Sequence, residues 1–241
     1  MIPEDSIQHY VPKWWTTDDD HNLRRGRLLR AFVPHVDQEP LHLIAEGRAD
    51  PTSHKQFTAK IERLDFGASR KAPALPVAAL PHFQGEVHAV YRAKDRPVLV
   101  VSGGGPLVEK ALRLGSARWQ TAPTLIVAPY YGVDSSGTRG GWRPEFVERI
   151  RRGEYPQYIW DSLPLKSSTT TESILRLDHI QPIGRIATTH EWTPHCLSDD
   201  AMKVLDEWID WLMKGSLSKE GLLDTARQFL VQEFSPSHNA P

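Results

Sequence analysis

The chain has 241 residues, 39% hydrophobic and 24% charged, enough to bury the core of one large domain or two small ones. Twenty-nine basic against thirty acidic side chains leave a formal net charge of -1, which excludes a nucleic-acid partner held by overall charge and requires any basic patch to be local. Nineteen prolines and 16 glycines exclude a coiled coil, the lone Cys196 excludes an internal disulfide, and no stretch approaches the ~18 apolar residues of a membrane span.

The opening Met1-Ile2-Pro3-Glu4-Asp5-Ser6 lacks the basic and apolar regions of a secretory leader, so the expected location is the cytoplasm. Residues 1–25 mix Trp14 and Trp15 with Asp18-Asp19-Asp20 and Arg24-Arg25 and read as a loosely held arm. Short apolar runs at Leu28 to Val36, Leu41 to Ala45 and Phe57 to Leu64, punctuated by Pro, Gly and Asp, predict strands of a small β-rich extension. Three prolines between Lys71 and Pro81 interrupt any ladder and mark a boundary. Glu86 to Tyr91 and Pro97 to Val101 read as a hairpin with the tip Arg92-Ala93-Lys94-Asp95. Pro106 to Leu114 reads as a short helix stopped by Gly115, and Leu125 to Ala128 as a further strand. A Gly/Ser/Thr loop from Val133 to Gly141 precedes a small helix over Pro144 to Arg152, where Phe146, Val147 and Ile150 keep helical spacing. Tyr158-Ile159-Trp160 and Ile174 to Ile180 complete the strands; alternation along the second puts Arg176 and Asp178 on one face and His179 on the other. Ser198 is a good N-cap for a helix running to Lys214 with one apolar stripe and Gly215 as its stop, and a shorter helix follows over Lys219 to Phe234.

Four of these segments, in order, resemble the PemK/MazF toxin family. Gly85-Glu86-Val87 with Arg96-Pro97-Val98-Leu99-Val100-Val101-Ser102 is similar to its opening hairpin, and Leu125-Ile126-Val127-Ala128-Pro129 to its third core strand. Glu172-Ser173-Ile174-Leu175-Arg176-Leu177-Asp178-His179-Ile180-Gln181-Pro182-Ile183 resembles its late strand, and Leu197-Ser198-Asp199-Asp200-Ala201-Met202 the start of its closing helix. The resemblance covers about residues 84–213. It implies a mainly β fold with some α, a half-open SH3-like β-barrel closed by a C-terminal helix. The expected organisation is an arm and β-rich extension over 1–83, a barrel domain over 84–214 with an insertion at 133–170, and a helix and tail over 215–241.

The same resemblance implies the toxin of a type II toxin-antitoxin system, a metal-independent endoribonuclease that cleaves single-stranded RNA, uses no cofactor, forms a homodimer and is held inactive by a cognate antitoxin. Such cleavage needs a base for the 2′-hydroxyl, a cation at the phosphate and a groove for unstacked bases. The resemblance carries the roles over to Asp178 as base, Arg176 as phosphate clamp and Arg96 as a further phosphate contact. Arg176 and Asp178 read equally well as a solvated ion pair on a half-exposed strand. Tyr130 and Tyr131 follow the third strand and either stack on bases or cap the core. Trp142 and Arg143 head an insertion rich in arginine and aromatic residues, suited to single strands or else a solvated helix over tucked aromatics. No metal-ligand spacing is present, and the alternative to the enzyme is a non-catalytic binding protein on the same scaffold.

Overall fold

The computed structural model describes residues 2–48, 50, 52–53, 56–67, 77, 80, 83–116, 121–133, 141–165 and 172–234. In chain order its elements begin with α1 (Ile7–Tyr10), β1 (Trp15–Thr17), β2 (Arg27–Pro34), β3 (Leu41–Gly47), β4 (Thr58–Arg63), β5 (His88–Val90), β6 (Ala93–Ser102), α2 (Lys110–Arg113) and β7 (Thr124–Gly132). They continue with α3 (Pro144–Arg151), β8 (Tyr158–Ser162), β9 (Glu172–Arg176), a 3-10 turn at Leu177–His179, β10 (Gln181–Gly184), β11 (His190–Leu197), α4 (Asp199–Lys214) and α5 (Leu222–Phe234). The fold is mainly β with a few helices. No described helix is long and apolar enough to cross a membrane.

Two compact units divide the chain: Met1–Phe32 with Asp95–Pro241, and Val33–Lys94. The first carries a curled antiparallel half-barrel sheet of eight strands in the order β1-β11-β2-β6-β7-β9-β8, with β10 also beside β7. The second carries a three-stranded sheet, β4-β3-β5. This differs from the expected boundary near residue 84, because the first 32 residues join the chain that follows residue 95 and the second unit is an insertion between β2 and β6, which are neighbours in the sheet.

The half-barrel forms where the sequence is continuously apolar. Val98 to Val101 of β6 and Leu125, Val127 and Ala128 of β7 are buried, as expected of central strands covered on both faces. The pair is antiparallel, with Val98 opposite Pro129 and Val100 opposite Val127. Helix α4 closes one side of this core with Ala201, Val204, Leu205 and Trp208, all fully buried against Leu28, Leu99 and Ala128 among others. Its start is fixed by the Ser198 hydroxyl, which accepts the Ala201 N–H at 3.2 Å, with Asp199 and Asp200 in the dipole-favoured first turn. Its end is Gly215 at φ +74. Glu207 on α4 then accepts the N–H groups of Leu222 (3.1 Å) and Leu223 (2.8 Å) and so caps α5.

Several expectations are corrected. Residues 1–25 are no loose arm: Ile7, Val11 and Trp14 are core residues, and β1 pairs with β11. The Arg27 guanidinium is fully buried and donates to the Asp18 carboxylate (3.1 Å) and the carbonyls of Asp18, Asp20 and Asn22, tying the acidic run to β2. Segment 86–91 is not the partner of β6; β5 pairs with β3, and β6 lies between β2 and β7. Of the predicted helix from Pro106 only Lys110–Arg113 is helical. The run Ile174 to Ile180 is not one strand, because it turns at Leu177–His179 so that β9 and β10 pair with different halves of β7. Most of the predicted boundary at 71–81 and of the loop at 133–141 lies outside the described residues.

Candidate functional site

Four adjacent strands bring one polar row together. β6 and β7 pair with Val98 opposite Pro129, and beyond that pair the Arg96 guanidinium of β6 lies 4.0 Å from the Tyr131 ring centre of β7. On the other side of β7, β9 contributes Arg176, whose guanidinium is 5.6 Å from the same ring. In β8, Tyr158 is the direct partner of Arg176, at 5.0 Å from ring to guanidinium. Thus Arg96, Tyr131, Arg176 and Tyr158, drawn from β6, β7, β9 and β8, form one continuous patch.

The 3-10 turn completes it. Leu177 is buried in the core, and the turn around it brings Asp178 and His179 back toward Arg176. Arg176 Nε donates to Asp178 Oδ1 at 2.7 Å and Nη2 to Oδ2 at 2.6 Å, a two-pronged ion pair. Burial works against the charged guanidinium, but the hydrogen bonds and charge of Asp178 outweigh it and raise the Arg176 pKa above its ordinary value. Arg176 Nη2 is also 2.7 Å from His179 Nε2, and the Tyr131 hydroxyl is 2.9 Å from His179 Nδ1. A guanidinium can only donate, so in the contact with Arg176 it is His179 Nε2 that accepts.

An aromatic platform adjoins this patch through Tyr158. Trp142 and Phe146 stack at 5.7 Å, and Tyr158 meets their edges at 5.9 and 5.6 Å. Tyr155 closes the group, 5.1 Å from Phe146, with the Arg149 guanidinium 4.9 Å from its ring. Beneath lie Val147, Ile150, Trp160 and Ile174, so α3 is held by its apolar stripe while Arg149 stays outside. Arg143 is exposed at the N-cap of α3.

The structure brings Arg96, Tyr131, Arg176 and Asp178 together and leaves Trp142 on the neighbouring platform. Tyr130 is a correction. Only 2% exposed, it points into the core, where its hydroxyl donates to Asp161 Oδ2 at 2.8 Å. Successive residues of a strand face opposite sides, so only one of the two tyrosines can line the patch. Sequence reasoning missed Asp161. Its buried carboxylate accepts from Trp15 (2.9 Å) and Gln8 (3.0 Å) on Oδ1, and from Trp14 (3.2 Å) and Tyr130 on Oδ2. Burial raises its pKa to about 6 against the pull of these donors. A groove of about 340 Å³ lined by Gln8, His9, Lys13, Trp15 and Ser162 lies alongside. The one available signal was a lone carboxylate in an otherwise apolar strand, Tyr158-Ile159-Trp160-Asp161.

Among the described residues no three His, Cys, Asp or Glu side chains gather as metal ligands. No family model, no curated protein and no solved structure matches the chain.

Proposed function

We propose that the chain is a PemK/MazF-type toxin, a cytoplasmic endoribonuclease that cleaves single-stranded RNA and is restrained by a cognate antitoxin. One observation carries the reading: the three side chains that the resemblance to that family assigns to catalysis, Arg96, Arg176 and Asp178, meet in one patch around Tyr131. A phosphate entering between Arg96 and Arg176 competes with Asp178 for the guanidinium and turns the carboxylate toward the 2′-hydroxyl. Asp178 then accepts the 2′-hydroxyl proton as O2′ attacks phosphorus, while both arginines balance the charge on the non-bridging oxygens. Trp142, Phe146 and Tyr158 offer faces on which unpaired bases stack, at about 1–3 kcal/mol per base. The net charge of -1 is no obstacle, since the cations are local.

A second reading, a non-catalytic binding protein on the same scaffold, is favoured by the two-pronged Arg176–Asp178 pair, in which each charge already satisfies the other. Incubating the purified protein with mixed single-stranded RNA in EDTA separates the two. The nuclease reading predicts discrete cuts, slowed about 100-fold or more in Asp178→Ala, and growth arrest on expression that the same substitution relieves. Binding without cuts by the wild type supports the second reading instead.

A further inference from the structure

The N-terminal groove takes no part in the cleavage proposed above. It encloses about 340 Å³, within the range of small-molecule sites, and none of its lining residues belongs to the patch around Tyr131. Its walls are largely apolar and aromatic, built from Val11, Trp14 and Trp15. Both indoles donate their N–H to the buried Asp161 carboxylate, Trp14 at 3.2 Å and Trp15 at 2.9 Å, so they offer the groove ring carbon rather than a donor. Gln8 is tied at both ends, donating to Asp161 at 3.0 Å and accepting the Ser162 N–H at 2.9 Å. The walls are thus fixed before any ligand arrives. The opening has a different character. Lys13 and His9 line the groove as exposed residues, and no acidic side chain lines it with them. Among the described residues neither has an ion-pair partner, and the His9 ring makes an edge contact with Tyr10 at 6.0 Å. Lys13 also has φ +54, a left-handed conformation uncommon for a residue with a Cβ, so the backbone is strained where it carries the ammonium.

We infer that this groove binds a nucleotide, with the base flat against the Trp15 indole and the phosphate held by Lys13 and His9. Trp15 is the partly exposed member of the indole pair, whereas Trp14 is 5% exposed and serves as wall. Every base has a π-face, so an indole accepts any of them, and a lysine ammonium binds phosphate as a point charge. The Asp161 carboxylate does not line the groove, and its charge is shared among four donors, so the charge at the opening is set by Lys13 and His9. A free mononucleotide and one unit of a single strand present the same chemistry to this site. The inference holds whether or not the patch around Tyr131 cuts RNA.

The test titrates the full chain with adenosine monophosphate by calorimetry. Adenosine and inorganic phosphate, each keeping half of the contacts, should bind about 10-fold more weakly than the nucleotide, or worse. Lys13→Gly should weaken the nucleotide about 10-fold or more, while Lys13→Arg, which keeps the charge, stays near wild type. The same Lys13→Gly should raise the midpoint of urea unfolding, because glycine adopts φ +54 without strain. A lowered midpoint would assign Lys13 to the fold and contradict its role in binding. Light-activated 8-azidoadenosine monophosphate should label the segment from His9 to Trp15 in the wild type and spare it in Lys13→Gly. Labelling at Tyr131 or Tyr158 instead places nucleotides at the patch and overturns the inference while leaving the nuclease reading intact. Absence of binding at about 1 mM nucleotide, or inorganic phosphate bound as tightly as the nucleotide, overturns it as well. A 2′-O-methyl pentaadenylate, which attack by a 2′-hydroxyl cannot cut, separates the two sources. Protection of the His9 to Trp15 segment by the pentamer assigns the groove to single strands, and labelling undiminished by it assigns the groove to free nucleotides, the site standing in either case.

Discussion

Four donors reach the buried Asp161 carboxylate, and none of them carries a charge. Removal from water therefore dominates, and the folded pKa of about 6 lies above the ~3.9 of an exposed aspartate. The folded state thus holds this proton more tightly than the unfolded one. The contribution to stability is fully present below about pH 4 and is lost as the pH rises through 6. Measured by urea unfolding, the stability of wild type minus that of Asp161→Asn should fall by about 2 kcal/mol between pH 4.5 and 7.5. A constant or growing difference would show that the carboxylate is held as the anion throughout. In the sequence this residue is marked only as a carboxylate in an otherwise apolar run, because its donors Gln8, Trp14 and Trp15 are about 150 positions away and sit in what reads as a polar arm. Arg176 and Asp178 were legible as a pair, although for a different reason from the one that joins them. Strand alternation predicts a shared face, whereas the 3-10 turn swings Asp178 back onto the guanidinium. For Tyr130 and Tyr131 the period of a strand says that they diverge, and only the packed core says which one turns inward.

Helix α4 could be read from end to end, since its cap, first-turn acids, apolar stripe and terminal glycine are all local signals. Ser198→Ala should lower stability by about 1 kcal/mol in chemical denaturation, and an unchanged midpoint would mean that the hydroxyl is replaced by water at no cost. The turn after β6 is more demanding. Gly104 has φ +79, and a Cβ there would strike the Thr124 carbonyl at the start of β7. Gly104→Ala should therefore destabilise by more than about 1 kcal/mol, whereas at a compatible glycine the same replacement stabilises by about 0.4–1 kcal/mol, and a smaller loss would indicate that the turn shifts to make room. The errors at this scale arise from long-range pairing. Glu86 to Tyr91 looked like one arm of a hairpin because a short tip follows it, yet β5 finds β3 instead, with Leu43 opposite His88. Ile174 to Ile180 looked like one strand because its alternation continues, yet β7 is long enough to pair with β9 and β10 in succession, with Tyr131 opposite Ile174 and Val127 opposite Gln181. Both outcomes are tertiary choices that a local pattern does not encode.

The strand order of the whole molecule explains why the N-terminal third was harder to read than the rest. β2 and β6 are sheet neighbours separated in sequence by an entire second unit, so the contact between them is invisible to local periodicity. That unit and the half-barrel differ in burial: every residue of β4 is exposed, whereas Val98, Leu99 and Val100 of β6 are at most 1% exposed. Amide hydrogens of β4 should accordingly exchange well ahead of those of β6 and β7, and equal protection would mean that β4 is covered in solution. The central claim, that the patch around Tyr131 cleaves RNA by attack of the 2′-hydroxyl, meets its most direct test in a defined single-stranded RNA incubated with the protein in EDTA, with and without a single 2′-deoxy substitution at the mapped cut. The account predicts a 2′,3′-cyclic phosphate and a 5′-hydroxyl at each cut, and no cleavage at the deoxy position. Cleavage that persists there, or an RNA left whole, would contradict it.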